Sequence, residues 1–231
     1  MLTPTYGEIK EKIEREHDLE DETFIQEDEL MGYYNDAVDE AEAEIHGIYE
    51  DYFLASAPLE LVLDQSLYSL PEDIYANKIR RVIYQQGVIT YEIKRLRDWK
   101  KFIEKADADL YSTDRYYNYF LKNNSIEDGV QLLLVPKSRE ASEENVTIWY
   151  IRNANRATDE SSKCDIPEFL NFIYAHMRCS IRRKEFNGEV PQTDLLALEA
   201  QRKLMVDTLT AMVPDDQTEI EQDLSHYWDH V

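Results

Sequence analysis

Two histidines near the C-terminus have a spacing that suits metal binding. His226 and His230 are one helical turn apart, with Asp223 and Asp229 close by. A tetrahedral zinc site needs further ligands that converge on the ion. The chain has no CxxC motif and no distant pair of Cys and His residues to complete the set. We therefore predict no metal site and no cofactor.

Adjacent carboxylates supply the residue types that hydrolases use as acid and base. Glu72 with Asp73 is one such pair, but a chain with 48 acidic residues forms such pairs without any catalytic purpose. The six glycines match neither a Walker A motif nor a dinucleotide fingerprint, and no GxSxG or HExxH motif occurs. We predict no catalytic residue and no enzymatic activity, and a carboxylate hydrolase is the last of three hypotheses.

A basic cluster lies at one end of a predicted helix and consists of Arg178, Arg182, Arg183 and Lys184. Arginines one turn apart can follow a phosphate backbone. In a chain with a net charge of −23, we expect them instead to pair with acids in the fold or on a neighbouring copy. His176, in the same helix, is expected to be a satisfied histidine rather than a base.

Nearly all of the net negative charge lies at the two ends of the chain. Residues 1–60 carry 19 acids against three bases, residues 211–231 carry six acids and no base, and residues 61–210 carry 23 acids and 22 bases. This distribution favours a protein that repels something anionic or docks on something basic.

The length of 231 residues suits one large domain or a body with an insertion. An aromatic content of 11% argues against a disordered acidic chain. Cys164 and Cys179 support no disulfide framework, which suits synthesis in a reducing cytoplasm. The polar N-terminus and the short apolar runs predict neither a signal peptide nor a membrane span.

Residues 1–58 are predicted to form two helices. Thr5 with Glu8 makes a capping box for the first, and Thr23 with Gln26 makes a second box ahead of a long helix, Asp28 to Ala55. The outer face of the long helix is expected to carry Asp36, Asp39, Glu40, Glu42 and Glu44.

Residues 59–163 are predicted to form a β-rich insertion with one small, mainly antiparallel sheet. A hairpin is expected from Ile79–Tyr84 and Val88–Ile93. A short amphipathic helix is expected from Arg95 to Ala108. The other predicted strands are Leu59–Leu63, Tyr116–Leu121, Val130–Val135 and Val146–Arg152.

Residues 164–213 are predicted to form two more helices, which complete a bundle with the first two. Asp165 is expected to cap the third helix and Asn187 with Gly188 to end it, whereas Thr193 is expected to cap the fourth. The predicted core positions of the fourth helix are Leu195, Leu198, Met205, Leu209 and Met212.

Residues 214–231 are predicted to form an extended arm. Ile220, Leu224, Trp228 and Val231 are spaced by three or four positions. So short an amphipathic segment does not hold itself helical in water. We therefore expect it to dock on a partner surface.

The order of four segments resembles the head-to-tail adaptor, or connector, proteins of tailed bacteriophages, in particular the tail accessory factors of short-tailed phages. The segments are YSLPEDI (Tyr68 to Ile74), VQLLLVP (Val130 to Pro136), VTIWYIRNA (Val146 to Ala154) and DIPEFLNFIYAHM (Asp165 to Met177). The long acidic first arm and the loop from Asn153 to Lys163 depart from a typical member.

The resemblance implies a structural virion protein, made in the host cytoplasm, that sits as a ring of twelve copies beneath the portal protein. It implies that the ring extends the DNA channel without binding DNA specifically and is a platform for a tail hub or nozzle. No catalytic residue is implied, and no membrane is involved. By position and pattern, the candidate arm contacts are Ile220, Leu224, Tyr227 and Trp228, and the candidate channel- or portal-facing acids are Asp36, Asp39, Glu40 and Glu44.

An alternative function from another class remains open. An acidic soluble inhibitor, or a DNA mimic, would occupy a basic site on a host protein. Such a mimic spreads its acids over one folded face at roughly phosphate spacing, whereas this chain concentrates them in its ends.

Overall fold

The computed structural model describes residues 3–19, 24–98, 100, 117–125 and 129–213. The chain divides into a helical unit, with the residues up to Tyr49 and those from Arg156 onward, and a β unit, Glu50–Asn155. The described part contains four α-helices and two antiparallel-rich sheets, which confirms the predicted α+β class. The finer division, with boundaries after residues 58, 163 and 213, stays a prediction.

The first helix, α1 (Tyr6–His17), begins as its capping box predicts. The Thr5 hydroxyl accepts a hydrogen bond from the Glu8 amide at 3.3 Å, and the Glu8 carboxylate accepts one from the Thr5 amide at 2.9 Å. Ile9 and Ile13 are completely buried. The cap fixes where the helix starts, and the apolar stripe fixes which face is buried.

A loop of the helical unit passes directly over the start of α1. The amides of Tyr6 and Gly7 donate to the carbonyl oxygens of Ser162 and Glu160 at 2.8 and 2.9 Å. A Cβ at Gly7 would lie 3.0 Å from the Glu160 carbonyl oxygen. The loop thus satisfies first-turn amides that the helix leaves unpaired, and a residue without a side chain lets it approach.

The second helix, α2, spans Glu27–Ile48 and is shorter than the predicted Asp28 to Ala55. Its 22 residues are about 33 Å long at roughly 1.5 Å per residue. Gln26 is the residue before the helix, and its amide donates to Glu29 Oε2 at 3.0 Å. The second capping box was therefore placed three residues too early; Thr23 itself lies outside the described residues.

The chain leaves the helix after Ile48 because the residues from Leu54 onward pair with a distant strand. A 3₁₀ turn, Glu50–Phe53, leads into strand β1 (Leu54–Leu61). The predicted helix end around Ser56 and Pro58 therefore lies in a strand. Proline is tolerated there because β1 is at the edge of its sheet.

The third helix, α3 (Leu170–Glu185), follows a 3₁₀ turn, Pro167–Phe169. The residue ahead of that turn is Ile166, so Asp165 is not the cap. Asn187 and Gly188, with φ of 55° and 106°, end the helix as predicted, and the Gly188 amide donates to the Arg183 carbonyl at 2.7 Å.

The fourth helix, α4 (Gln192–Met212), begins two positions earlier than the predicted Thr193 cap allows. The residue before it is Pro191, whose carbonyl accepts from the amides of Asp194 and Leu195 at 3.0 and 3.2 Å. Thr193 therefore lies inside the first turn.

The predicted core of α4 is only partly correct. Met205 and Leu209 are buried, and Leu198 is half-buried. Leu195 and Met212 are 42% and 38% exposed. Since α2 and α3 both contact α4, the side that they cover determines which apolar residues are buried.

The β unit contains two four-stranded sheets, where the sequence predicted one. The first has the order β1-β8-β3-β4 and is antiparallel throughout. The second has the order β2-β7-β6-β5 and contains one parallel pair, β5 with β6. The strands not yet bounded are β2 (Leu67–Ser69), β3 (Ile74–Gln86), β4 (Ile89–Glu92), β5 (Lys94–Arg95), β6 (Asn118–Ser125), β7 (Gly129–Val135) and β8 (Ser142–Arg152).

The predicted hairpin is confirmed. β3 and β4 pair from Ile83 with Glu92 to Gln86 with Ile89, and Gly87 in the turn has a φ of 59°.

The helix predicted from Arg95 begins instead in strand β5, and most of its remaining length lies outside the described residues. Inward side chains of both sheets, such as Val82, Leu132 and Ile148, form one buried cluster.

A bulge interrupts β3 near its start. Its pairing with β8 shifts register between Ile74 and Ile79, and Ala76 and Asn77 have positive φ of 47° and 56°. A Cβ in this left-handed region costs roughly 1 to 2 kcal/mol per residue. Tertiary pairing on either side of the bulge holds the alanine there.

Gly7→Ala is expected to lower the free energy of unfolding by about 1 to 3 kcal/mol, because the added methyl group meets a backbone oxygen. Gly32→Ala in α2 is the matched control. No atom lies within 4 Å of the position of its added Cβ, so it should stabilise the protein by up to about 1 kcal/mol. Urea denaturation measures both, and equal stabilisation by the two variants would contradict the close approach.

Ala76→Gly is expected to raise the free energy of unfolding by about 0.5 to 1 kcal/mol, because it removes the strain of a positive φ. Ala55→Gly in β1 is the control and should lower it by at least a similar amount, since a glycine in a regular strand adds chain entropy to the unfolded state and the methyl group that packs against the buried cluster is lost. Thermal unfolding followed by circular dichroism compares the two signs. A loss of stability in both variants would contradict the strain.

Candidate assembly surfaces

Several acids of α2 form ion pairs with bases on other helices of the helical unit. Arg202 of α4 contacts Glu44 and lies 3.5 Å from Glu40 Oε1, and Lys184 of α3 contacts Glu29. Ion pairs at such exposure each contribute about 0 to 1 kcal/mol. Together they neutralise much of the acidic face of α2, which was predicted from the sequence to face a channel or a portal.

A partly buried cluster forms around Arg156. Its Nη2 lies 2.5 Å from Asp39 Oδ1 and 2.8 Å from Glu42 Oε2, and His46 Nε2 lies 3.4 Å from Glu42 Oε1. Glu42 is only 6% exposed. Its predicted place on the outer face of α2 is therefore wrong: the carboxylate is buried and paired, as a charge removed from water must be.

Lys10 joins three segments of the helical unit. Its Nζ lies 2.7 Å from Glu160 Oε1 and 2.8 Å from Glu27 Oε1. The hydrogen bonds that Lys10 donates to Glu160 and Glu27 raise the pKa of Lys10 well above its ordinary value. One ammonium therefore links α1, the start of α2 and the loop that passes over α1.

The basic cluster on α3 is used largely within the fold, as the sequence analysis predicts. Arg178 Nη2 lies 3.0 Å from Glu16 Oε2, Arg182 Nη1 lies 2.6 Å from Glu185 Oε2, and Lys184 contacts Glu29. His176 Nε2 lies 3.1 Å from Glu40 Oε2, whereas its Nδ1 is buried without a hydrogen-bond partner in the described structure, so the prediction of a satisfied histidine is correct for one ring nitrogen only. Arg183 is exposed and has no ion-pair partner in the described part of the chain.

The predicted site residues fall into two groups. Asp39, Glu40 and Glu44 lie in the ion pairs above, and Asp36 is exposed with no ion-pair partner among the residues described. Whether these acids face a channel or a portal stays a prediction. The predicted arm contacts Ile220, Leu224, Tyr227 and Trp228, and the histidines His226 and His230, lie outside the described residues.

The described residues offer little for chemistry. They contain no group of three or more His, Cys, Asp or Glu residues that could hold a metal ion. Burial raises the pKa of the Cys164 and Cys179 thiols, so both are protonated at neutral pH and poor nucleophiles. Within the same residues, no helix is long and apolar enough to cross a bilayer.

The structure has two exposed apolar surfaces that were not predicted from the sequence. On α4, Leu196 and Leu204 are 57% and 56% exposed. On the first sheet of the β unit, Leu54, Ile83 and Trp149 line a groove of about 610 Å³ together with Asp51, Arg80 and Arg81. Side chains alternate between the two faces of a strand, and Ile148 and Tyr150 of β8 point inward. This alternation could have predicted from the sequence that Trp149 lies on the outer face.

The charge of the chain is divided unevenly between the two units. The helical unit carries 31 of the 48 acids and 11 of the 25 bases, and the β unit carries the other 17 acids and 14 bases. Since the bases of the helical unit are largely occupied by its own acids, the surplus negative charge belongs to that unit.

His17, in the last turn of α1, is half-buried close to Arg182 and Arg178. Burial, and then the two guanidinium groups, lower the pKa of His17, against weaker opposing effects of Glu185 and Glu16. Both ring nitrogens are buried without a hydrogen-bond partner in the described structure. The folded state therefore favours the neutral imidazole.

The protein is expected to lose stability as the pH falls below about 6.5, because the unfolded chain then binds a proton at His17 that the folded chain resists. This loss has a limiting slope of about 1.4 kcal/mol per pH unit for one proton. His17→Gln should flatten the pH dependence of the free energy of unfolding between pH 5 and 7. Identical pH profiles for the variant and the native chain in urea titrations would contradict this role.

Comparison with known proteins gives one finding. A family model described as SU10 adaptor protein matches residues 4–221 of the 231. A search of curated proteins found no match. Since the family match covers nearly the whole chain, including both units, this protein belongs to the SU10 adaptor protein family, consistent with the phage head-to-tail adaptor that the order of its segments resembles.

Proposed function

We propose that this protein is a head-to-tail adaptor that assembles as a ring beneath the portal of a tailed phage. In this role it extends the DNA exit channel and is the platform on which the next tail component, a hub or nozzle, attaches. The family match over residues 4–221 is the observation that carries the proposal. The family is one of structural phage proteins and is not typically enzymatic, so the mechanism is assembly rather than catalysis.

The charge distribution supports a passive channel. DNA carries one negative charge per roughly 1.7 Å of its axis, so a surplus of acids on the helical unit repels it and does not grip it. The bases that could hold phosphates are largely taken: Lys10, Arg156 and Arg202 each contact two acids of their own unit. Passing DNA thus meets few free cations on this unit.

The exposed apolar surfaces support assembly with protein partners. Side chains such as Trp149, Leu196 and Leu204 are exposed in a single chain, and contiguous exposed apolar groups mark interaction sites. In the proposed assembly the ring has twelve copies. The arm formed by residues 214–231 docks on the portal or on a neighbouring copy through Ile220, Leu224, Tyr227 and Trp228.

The protein, mixed with the portal ring from its own genome neighbourhood, is expected to form a ring on the portal. Light scattering measures the mass, and negative-stain imaging measures the symmetry. A monomer that does not bind the portal would contradict the proposal and favour the acidic inhibitor, for which a pull-down from the host is the next experiment.

The same assay tests the acidic face of α2. Asp36→Arg should leave the free energy of unfolding within about 0.5 kcal/mol, because no described ion pair is broken. If Asp36 faces the portal or the channel, this reversal should weaken ring formation or lower infectivity roughly tenfold, which corresponds to about 1.4 kcal/mol. Glu11→Lys, another exposed acid with no ion-pair partner in the described structure, is the matched control.

A further inference from the structure

Helix α4 has a second apolar face that its own chain leaves uncovered. Its buried side carries Met205 and Leu209. On another side, Leu196, Ala200 and Leu204 are four positions apart, so they form a stripe along the helix, and all three are exposed. A stripe of this kind on a helix that is already packed on one side indicates a second packing partner.

The border of this stripe is acidic. Glu199 and Asp207 are exposed and have no ion-pair partner in the described part of the chain, with Lys203 between them. The border therefore has a net charge of −1. We call the stripe and its border the α4 face: Leu196, Glu199, Ala200, Lys203, Leu204 and Asp207.

The groove on the first sheet of the β unit has the complementary character. Trp149 is 38% and Leu54 is 44% exposed, although an indole on a central strand is usually covered. Arg81 is the residue paired with Trp149 across the β3–β8 ladder. These residues, with Ile83, define the Trp149 groove.

Arg81 is the free positive charge of the groove. The neighbouring Arg80 contacts Glu50 and lies 2.6 Å from Asp51 Oδ1, so its charge is used within the β unit. Arg81 is exposed and, in the residues that the structure describes, has no ion-pair partner. An occupant of the groove should therefore present apolar side chains beside a carboxylate.

We propose that the α4 face of one copy packs into the Trp149 groove of a neighbouring copy. Leu196 and Leu204 then cover Trp149 and Leu54, and Arg81 pairs with Asp207 or Glu199. The inference deepens the proposed ring and rests on it. A second copy is favoured over a foreign partner because one chain carries both surfaces, each exposed, with matching apolar character and opposite charge.

The two surfaces differ, so the contact is heterologous. A head-to-tail contact leaves one free face and one free groove on every pair of copies, and successive copies close into a ring when the rotation permits. Tryptophan and arginine are the side chains that most often dominate the energy of an interface. Once covered, the ion pair lies in a lower dielectric and discriminates more strongly against like charges.

A charge swap in the full-length chain tests the contact. Arg81→Glu and the double variant Glu199→Lys with Asp207→Lys should each lower ring formation on the portal at least tenfold. An equimolar mixture of the two variants should restore it, because every groove then meets a face of opposite charge around an alternating ring. Light scattering and negative-stain imaging measure the assembly. For each variant, an unfolding curve that matches the curve of the native chain shows that the variant folds.

Matched variants separate this contact from general effects of charge. Arg183→Glu reverses another exposed, unpaired base of the described chain and should assemble normally. Leu204→Ser should weaken assembly without lowering the thermal midpoint, since Leu204 is 56% exposed in the single chain.

Three outcomes would overturn the inference. Normal rings from both charge variants would exclude the contact and leave the adaptor function standing. Loss of rings without recovery in the mixture would show that the two surfaces meet other partners, such as the portal. Failure of the native chain to form rings at all would remove the proposed function together with the inference.

Discussion

Mutual repulsion among carboxylates is the constraint on which the helical unit depends. This unit carries 31 acids and only 11 bases, so a base that lies close to two acids lowers the repulsion where its segments meet. Lys10 lies between Glu27 and Glu160, and Arg202 lies between Glu40 and Glu44. Each base thus connects segments as well as neutralising charge.

This use of the bases shapes what the surface can do. Paired arginines and lysines are not free to hold phosphate groups, so the unit presents surplus acid to any polymer that passes it. The β unit is nearly balanced, with 17 acids and 14 bases, and Arg81 is free of ion pairs in the described structure. A chain with one strongly acidic and one nearly neutral unit has different electrostatic preferences at different surfaces, which suits directional assembly.

Much of the fold was predictable from the sequence because it depends on neighbouring residues. The Thr5 and Glu8 capping box, the turn at Gly87 and the end of α3 at Asn187 and Gly188 all follow from hydrogen bonds or φ angles within a few positions. The order of segments that resembles phage adaptors was also visible in the sequence, and the family match bears it out. For the candidate site, the sequence identified the acids of α2 but did not identify the bases that pair with them.

By itself, the sequence determined the α+β class, the acidic ends, the capping box of α1 and the end of α3, because these features depend only on residues that are close in the chain. The predicted caps of α2, α3 and α4 were wrong. Only the tertiary structure decided where α2 ends, since β1 pairs with β8, a strand some 90 residues later. It also decided that Glu42 is buried against Arg156 and that Trp149 and Leu204 remain exposed. These outcomes depend on which distant segments pack against each other. Helical or strand periodicity identifies the apolar face of an element, but it does not identify the segment that packs on that face.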